Sequence, residues 1–415
     1  MLVYLLGILM ASFITAAFFK PNKLIALSSL ILSNTACIFL DLFSPGTWGW
    51  DLMLFRAVEV AVYRGGNPYY TGVLQALTDH SLSMPYPMLW AKLFSFLTYP
   101  LCWYLLYYAV IFVFIYCIIP KQKGARLYLL TLLYGGFFSF AWILKTGNIS
   151  MVSFLFIALW FVLILKTHFY SAAFFLGLAG SIKLLPLLYV LPLLVVFILK
   201  KDWARFSGVL GILLGSFFSV YLISYLMYPQ FFSDFIFQLF GLIPNQHTPF
   251  TETLFCLLDA TPLLGLQAFL DFIFSVNLVY FSKVFWGVCL ILYLLYVVIK
   301  RTQLLHYIEK NGWEIFYFMS VLILILTLPR LKPYSFIEAI IPLYYLTKNF
   351  NWRSQRWLLM AAVWSQFLFV LVSYSALILQ SSVPPVLLFL NWAQPIGLLF
   401  CVIVLNREKK FKFNF

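Results

Sequence analysis

The chain has 415 residues, of which 64% are hydrophobic, 20% aromatic and 10% charged, with a formal net charge of +14. That composition excludes an ordinary soluble domain and predicts an all-α polytopic membrane protein, because apolar helices of about 17 to 25 residues satisfy their own backbone in lipid. The apolar runs lack the period-2 alternation of a barrel. The surplus of Lys and Arg is what anchoring at anionic headgroups calls for, so membrane lipids are expected partners and nucleic acid is not.

Apolar runs at 1–19, 24–43, 101–119, 127–144, 149–165, 169–182, 184–199, 206–228, 279–299, 312–329, 334–347, 357–378 and 387–405 predict about thirteen transmembrane helices. The first lacks a basic n-region and reads as a retained helix rather than a signal peptide. Lys and Arg gather in alternate connections, as at Lys121, Lys123 and Arg126, at Lys200, Lys201 and Arg205, and at Arg407, Lys409, Lys410 and Lys412. This predicts an N-terminus outside and a C-terminus in the cytoplasm.

The cytoplasmic connections are too short for a nucleotide-binding domain, and the chain contains no P-loop pattern. Five of the six cysteines fall inside predicted spans, so neither a disulfide framework nor metal-ligand spacing is visible. No cofactor and no metal are expected. The chain 1–415 reads as a single transmembrane domain with two long connections, 44–100 and 229–278, both on the outer side. Each carries aromatic, amphipathic sequence suited to the membrane interface.

The first outer connection contains WGWDLMLFRAVEVAVYRGGNPYY from Trp48 to Tyr70, with an amphipathic stretch from Leu52 to Tyr63, then MPYPMLW at 84–90. Asp51 follows two tryptophans that anchor the chain at the interface. Partial desolvation there favours proton uptake and suits a general base. The alternative for Asp51 is an N-cap for a helix starting at Leu52.

Lys183 interrupts the apolar run GLAGSIKLLPLL, where a charge needs a partner or a function, or else snorkels from a helix end. Arg330 and Lys332 in TLPRLKPYSF form a second outer basic pair. With Lys183 they make a set able to hold an anionic phosphate. Asn148 in KTGNIS, and Asn245, Gln246 and His247 in the second outer connection, supply groups that hydrogen-bond sugar hydroxyls; solvated loop residues are the alternative. Glu338 falls inside the span 334–347, as either a functional acid or the partner of a buried base.

These landmarks, in this order, resemble glycosyltransferase family 87, membrane glycosyltransferases of the GT-C fold. The similar features are Asp51 with Tyr63, Gly65, Asn67, Pro68 and Tyr69, then Gly147 and Asn148, the IKLLP element with Lys183 and Pro186, the pair Asn245 and Gln246, and PRLKPYSF. They cover residues 44 to 345; Thr146 stands where the family usually carries Gln.

The resemblance implies a GT-C-like bundle with interfacial helices in its outer loops. It implies a polyprenyl-phosphate sugar as donor, a lipid or glycan acceptor, and transfer of a mannose-like hexose with inversion. Asp51 would then be the base. Lys183, Arg330 and Lys332 would bind the donor phosphate, and Tyr63, Asn67, Tyr69, Asn148, Asn245, Gln246 and His247 the substrates. A bacterial inner membrane is the implied location. A lipid or solute transporter or flippase, and an O-antigen polymerase or ligase, are the rival readings.

Overall fold

A computed structural model describes residues 49–78, 84, 86–113, 143, 146–239, 279–327 and 338–347. Among these residues the regular structure is helical, with no strand. The predicted runs 149–165, 169–182, 206–228, 279–299 and 312–329 each fall on one helix, and 184–199 on a 3-10 segment leading into a helix. Helix also covers the described parts of 101–119 and 334–347. The predicted spans 1–19, 24–43, 357–378 and 387–405, and 127–144 apart from Ile143, lie outside the described residues.

The chain order is α1 (Trp50–Tyr63), α2 (Thr71–Thr78), α3 (Met88–Phe94) with a 3-10 turn at Ser95–Thr98, then α4 (Pro100–Val113). Next come α5 (Ser150–Leu165), α6 (Phe169–Ile182), a 3-10 segment at Leu185–Val190 leading into α7 (Leu191–Leu199), α8 (Trp203–Met227) and α9 (Pro229–Leu239). After a break follow α10 (Val279–Ile299), α11 (Arg301–Asn311), α12 (Trp313–Thr327) and α13 (Ile340–Thr347).

Among the described residues, α8 is the one helix of sufficient length and apolarity to cross a bilayer alone; its 25 residues span about 37 Å. Two bent pairs raise that number to three, with kinks of 107° between Met88–Thr98 and Pro100–Val110 and 81° between Gly287–Ile299 and Arg301–Asn311. Pro100 explains the first kink. It forces Tyr99 out of the helical region, to φ −79° and ψ 122°, and a new helix starts at the proline itself.

The centre of the bundle is α6, packed between α5 and α8. A Cβ on Gly177 would overlap Ser216 Oγ and come within 2.5 Å of the Leu213 carbonyl oxygen, so this glycine is what lets α6 and α8 approach. Asp202 caps α8 by accepting from the Arg205 amide at 3.1 Å. Trp160, Phe161, Tyr189, Tyr317 and Phe318 interlock α5, the 3-10 segment and α12. Their polar atoms are bonded: Trp160 Nε1 donates to Tyr317 Oη at 2.7 Å, which donates to the Tyr189 carbonyl at 3.0 Å.

The amphipathic stretch beginning at Leu52 forms α1, and its exposed residues recur at Met53, Arg56, Glu59 and Tyr63. Leu52, Leu54, Phe55, Ala57, Val58 and Ala61 are buried on the other face. Gly65, at φ +73°, ends the helix where only a left-handed residue fits. The following NPY turn is tied on three sides. Asn67 Oδ1 accepts from the Tyr69 amide at 3.0 Å and Asn67 Nδ2 donates to Asp234 of α9 at 2.6 Å. Tyr69 Oη donates to the Tyr86 carbonyl at 3.0 Å, and its ring lies 5.5 Å from that of Phe235. The connection 44–100 is thus fastened to the start of the connection 229–278.

Candidate active site

Asp51 stands in the first turn of α1, where a carboxylate is favoured by the helix dipole. It is not the N-cap. That place is taken by Gly49 at φ +66°, without a side-chain cap bond, and the helix begins at Trp50. The carboxylate turns instead to another part of the chain: Asn148 Nδ2 donates to Asp51 Oδ2 at 2.8 Å across 97 residues of sequence.

Asn148 sits in the tight turn before α5. Gly147 adopts φ +69°, and a Cβ there would overlap the Leu52 side chain, the residue next to Asp51. Glycine is therefore needed twice over, for the backbone conformation and for the close approach to α1. Asn148 is 7% exposed and its Oδ1 accepts from the Ser150 amide at 2.9 Å and from the Ser150 hydroxyl. A backbone N–H can only donate, so the atom it meets is the amide oxygen, which leaves the NH2 group for Asp51.

Lys183 ends α6 in an extended conformation, φ −142° and ψ 129°. Its ammonium turns inward and donates to Ser150 Oγ. Glu338, 4% exposed, attracts the same ammonium electrostatically and accepts a hydrogen bond from Tyr189 Oη. Asp51, Asn148, Ser150 and Lys183 form one connected group, with Glu338 close behind it. Asp51 and Lys183 are both half-buried.

Tyr86, from the MPYPMLW segment, completes the surroundings of the acid. Burial and the nearby Asp51 charge push its phenol well above the usual tyrosine range, so it stays a proton donor. Burial, with Tyr221 nearby, does the same for Tyr69. Behind these residues, Trp90 Nε1 donates to Ser181 Oγ at 2.8 Å and the Leu89 amide donates to Ser224 Oγ at 3.1 Å, docking α3 onto α6 and α8.

The arrangement offers a carboxylate oriented by an amide, a cation three hydrogen bonds away through Asn148 and Ser150, and a phenolic donor. That set can take a proton from a hydroxyl and steady negative charge on a departing group. A family model described as glycosyltransferase family 87 matches residues 85–323, more than half of the chain. The chain belongs to glycosyltransferase family 87. It is a membrane glycosyltransferase, and a sugar donor and an acceptor are its substrates. No curated protein and no solved structure matches it.

The matched segment includes Asn148 and Lys183 and begins after Asp51. The structure is what joins Asp51 to the family's part of the chain. Of the other residues singled out from sequence, Asn67 and Tyr69 lie in the turn that fastens the connection 44–100 to α9, and Tyr69 reaches the backbone of Tyr86. Tyr63 is 91% exposed at the far end of α1, about 18 Å along the helix from Asp51. Arg330, Lys332, Asn245, Gln246 and His247 lie outside the described residues.

Two members of the site carried no signal strong enough to be found in the sequence. Ser150 follows Asn148 by two positions, a spacing common in any turn. Tyr86 is one of 26 tyrosines.

Proposed function

We propose that this member of glycosyltransferase family 87 transfers a mannose-like hexose from a polyprenyl-phosphate sugar to an acceptor hydroxyl, on the extracytoplasmic side of a bacterial inner membrane. The fold is a GT-C-like bundle of about thirteen spans, with its N-terminus outside and its C-terminus in the cytoplasm. The observation that carries the reading is the hydrogen-bonded series from Lys183 through Ser150 and Asn148 to Asp51, which links a cation to a carboxylate in a chain of this family.

In the reaction the acceptor oxygen attacks the anomeric carbon as its proton passes to Asp51. The bond from that carbon to the phosphate oxygen breaks, and its electron pair leaves with the polyprenyl phosphate, inverting the centre. Asn148 holds one carboxylate oxygen and so fixes the plane in which the other takes the proton. Lys183, joined by Arg330 and Lys332, stabilises the charge growing on the phosphate. Tyr63, Asn67, Tyr69, Asn148, Asn245, Gln246 and His247 are the proposed contacts to sugar and acceptor.

Purified protein incubated with a polyprenyl-phosphate hexose and an acceptor should release free polyprenyl phosphate. The Asp51→Asn variant should keep its fold, because the introduced amide oxygen still accepts from Asn148, and lose at least about 100-fold in rate. Transfer near the wild-type rate by that variant would remove Asp51 from the mechanism. Measurable lipid translocation without turnover would favour the flippase.

A further inference from the structure

Ser150 opens α5 and is 2% exposed. It caps nothing: the N-cap of α5 is Ile149, and no side-chain cap bond is made there. Its hydroxyl instead stands between Lys183, whose ammonium donates to it, and Asn148, whose amide oxygen accepts from it. Asn148 in turn donates to Asp51 at 2.8 Å.

Every donor in this series faces the same way, from ammonium to hydroxyl to amide to carboxylate. Hydrogen bonds aligned in one direction polarise one another, and the series holds its members more firmly than isolated bonds would. Substituting the hydroxyl removes both of its bonds at once and breaks this hydrogen-bonded route between the cation and the acid.

We propose that Ser150 is a positioning residue for sugar transfer: through Asn148 it holds the base Asp51 at a fixed distance from Lys183, so that base and phosphate-binding cation work as one unit. This rests on the roles given above to Asp51 and Lys183. Among the described residues, Glu338, bonded by Tyr189, acts on Lys183, and Tyr86 lies within the field of Asp51.

The test is a double-mutant cycle on the purified full chain, with polyprenyl-phosphate mannose as donor and an alkyl mannoside as acceptor probe. Ser150→Ala should lower kcat about 10- to 100-fold, the cost of a displaced base, and leave the acceptor KM within about threefold. In the Asp51→Asn background the same substitution should cost nothing further, since there is no base left to position.

Equal losses in both backgrounds would show that the hydroxyl serves folding alone, and would overturn the proposal. So would full turnover by Ser150→Ala beside a dead Asp51→Asn, an outcome that leaves the base reading standing. An active Asp51→Asn would overturn this proposal together with the base reading. If Ser150→Ala does not fold, Ser150→Cys, which keeps the volume and loses the strong hydrogen bonds, carries the same expectations.

Discussion

Gly147→Ala tests the close approach that brings Asn148 to Asp51. At φ +69° a residue with a Cβ costs about 1–2 kcal/mol, and glycine costs nothing comparable. The added methyl would also overlap the Leu52 side chain, and overpacking of this kind costs about 1–3 kcal/mol. The two sum to about 2–5 kcal/mol, borne at the contact between α1 and the turn before α5.

Thermal or denaturant unfolding in detergent measures the loss, and transfer activity should fall with it as residues 146–150 move away from Asp51. Leu52→Ala separates the two parts. Alone it opens a cavity and costs about 2–5 kcal/mol, but in the Gly147→Ala background it relieves the overlap and should cost about 1–3 kcal/mol less. A Gly147→Ala protein as stable as wild type would refute the reasoning. Equal costs of Leu52→Ala in both backgrounds would refute it as well.

Lys183→Ala should weaken donor use, seen as a raised donor KM; unchanged donor kinetics would count against a phosphate role for this lysine. Asn67→Ala should destabilise by about 1.5–3 kcal/mol, because it leaves Asp234 without a charge-assisted bond of 2.6 Å, while Asp234→Asn should cost less in the same unfolding assay. Burial raises the phenols of Tyr69 and Tyr86 above the ordinary value of 10.0, so their contribution to stability is complete below about pH 10 and fades as the pH climbs further. Tyr69→Phe and Tyr86→Phe should flatten that alkaline loss in unfolding measured across pH; an unchanged slope would contradict the assignment.

The helices were legible in the sequence because apolar runs bounded by Lys, Pro and Gly leave few alternatives in lipid. Even the shortest described run, 169–182, is a helix of its predicted length. The break in 184–199 was less legible, although Pro186 and Pro192 mark where the 3-10 segment and α7 begin. Asp51 and Lys183 stood out because charges in an apolar chain are few.

Their connection was not legible, since it depends on a turn 97 residues from Asp51 and a serine 33 residues from Lys183. Contacts of that reach are set by how helices stack, and a single sequence does not encode them in any local pattern. The same holds for Asn67: its NPY turn was visible, while its bond to Asp234 needed α9 in place.

The burial of α1 along its whole inner face, from Leu52 to Ala61, has a consequence for how such an enzyme can change over time. A rod glued down along its length keeps its two tips mechanically independent. A change at exposed Arg64 leaves the tip bearing Asp51 where it stands, so that position is free to drift while the reacting end stays registered against the turn before α5.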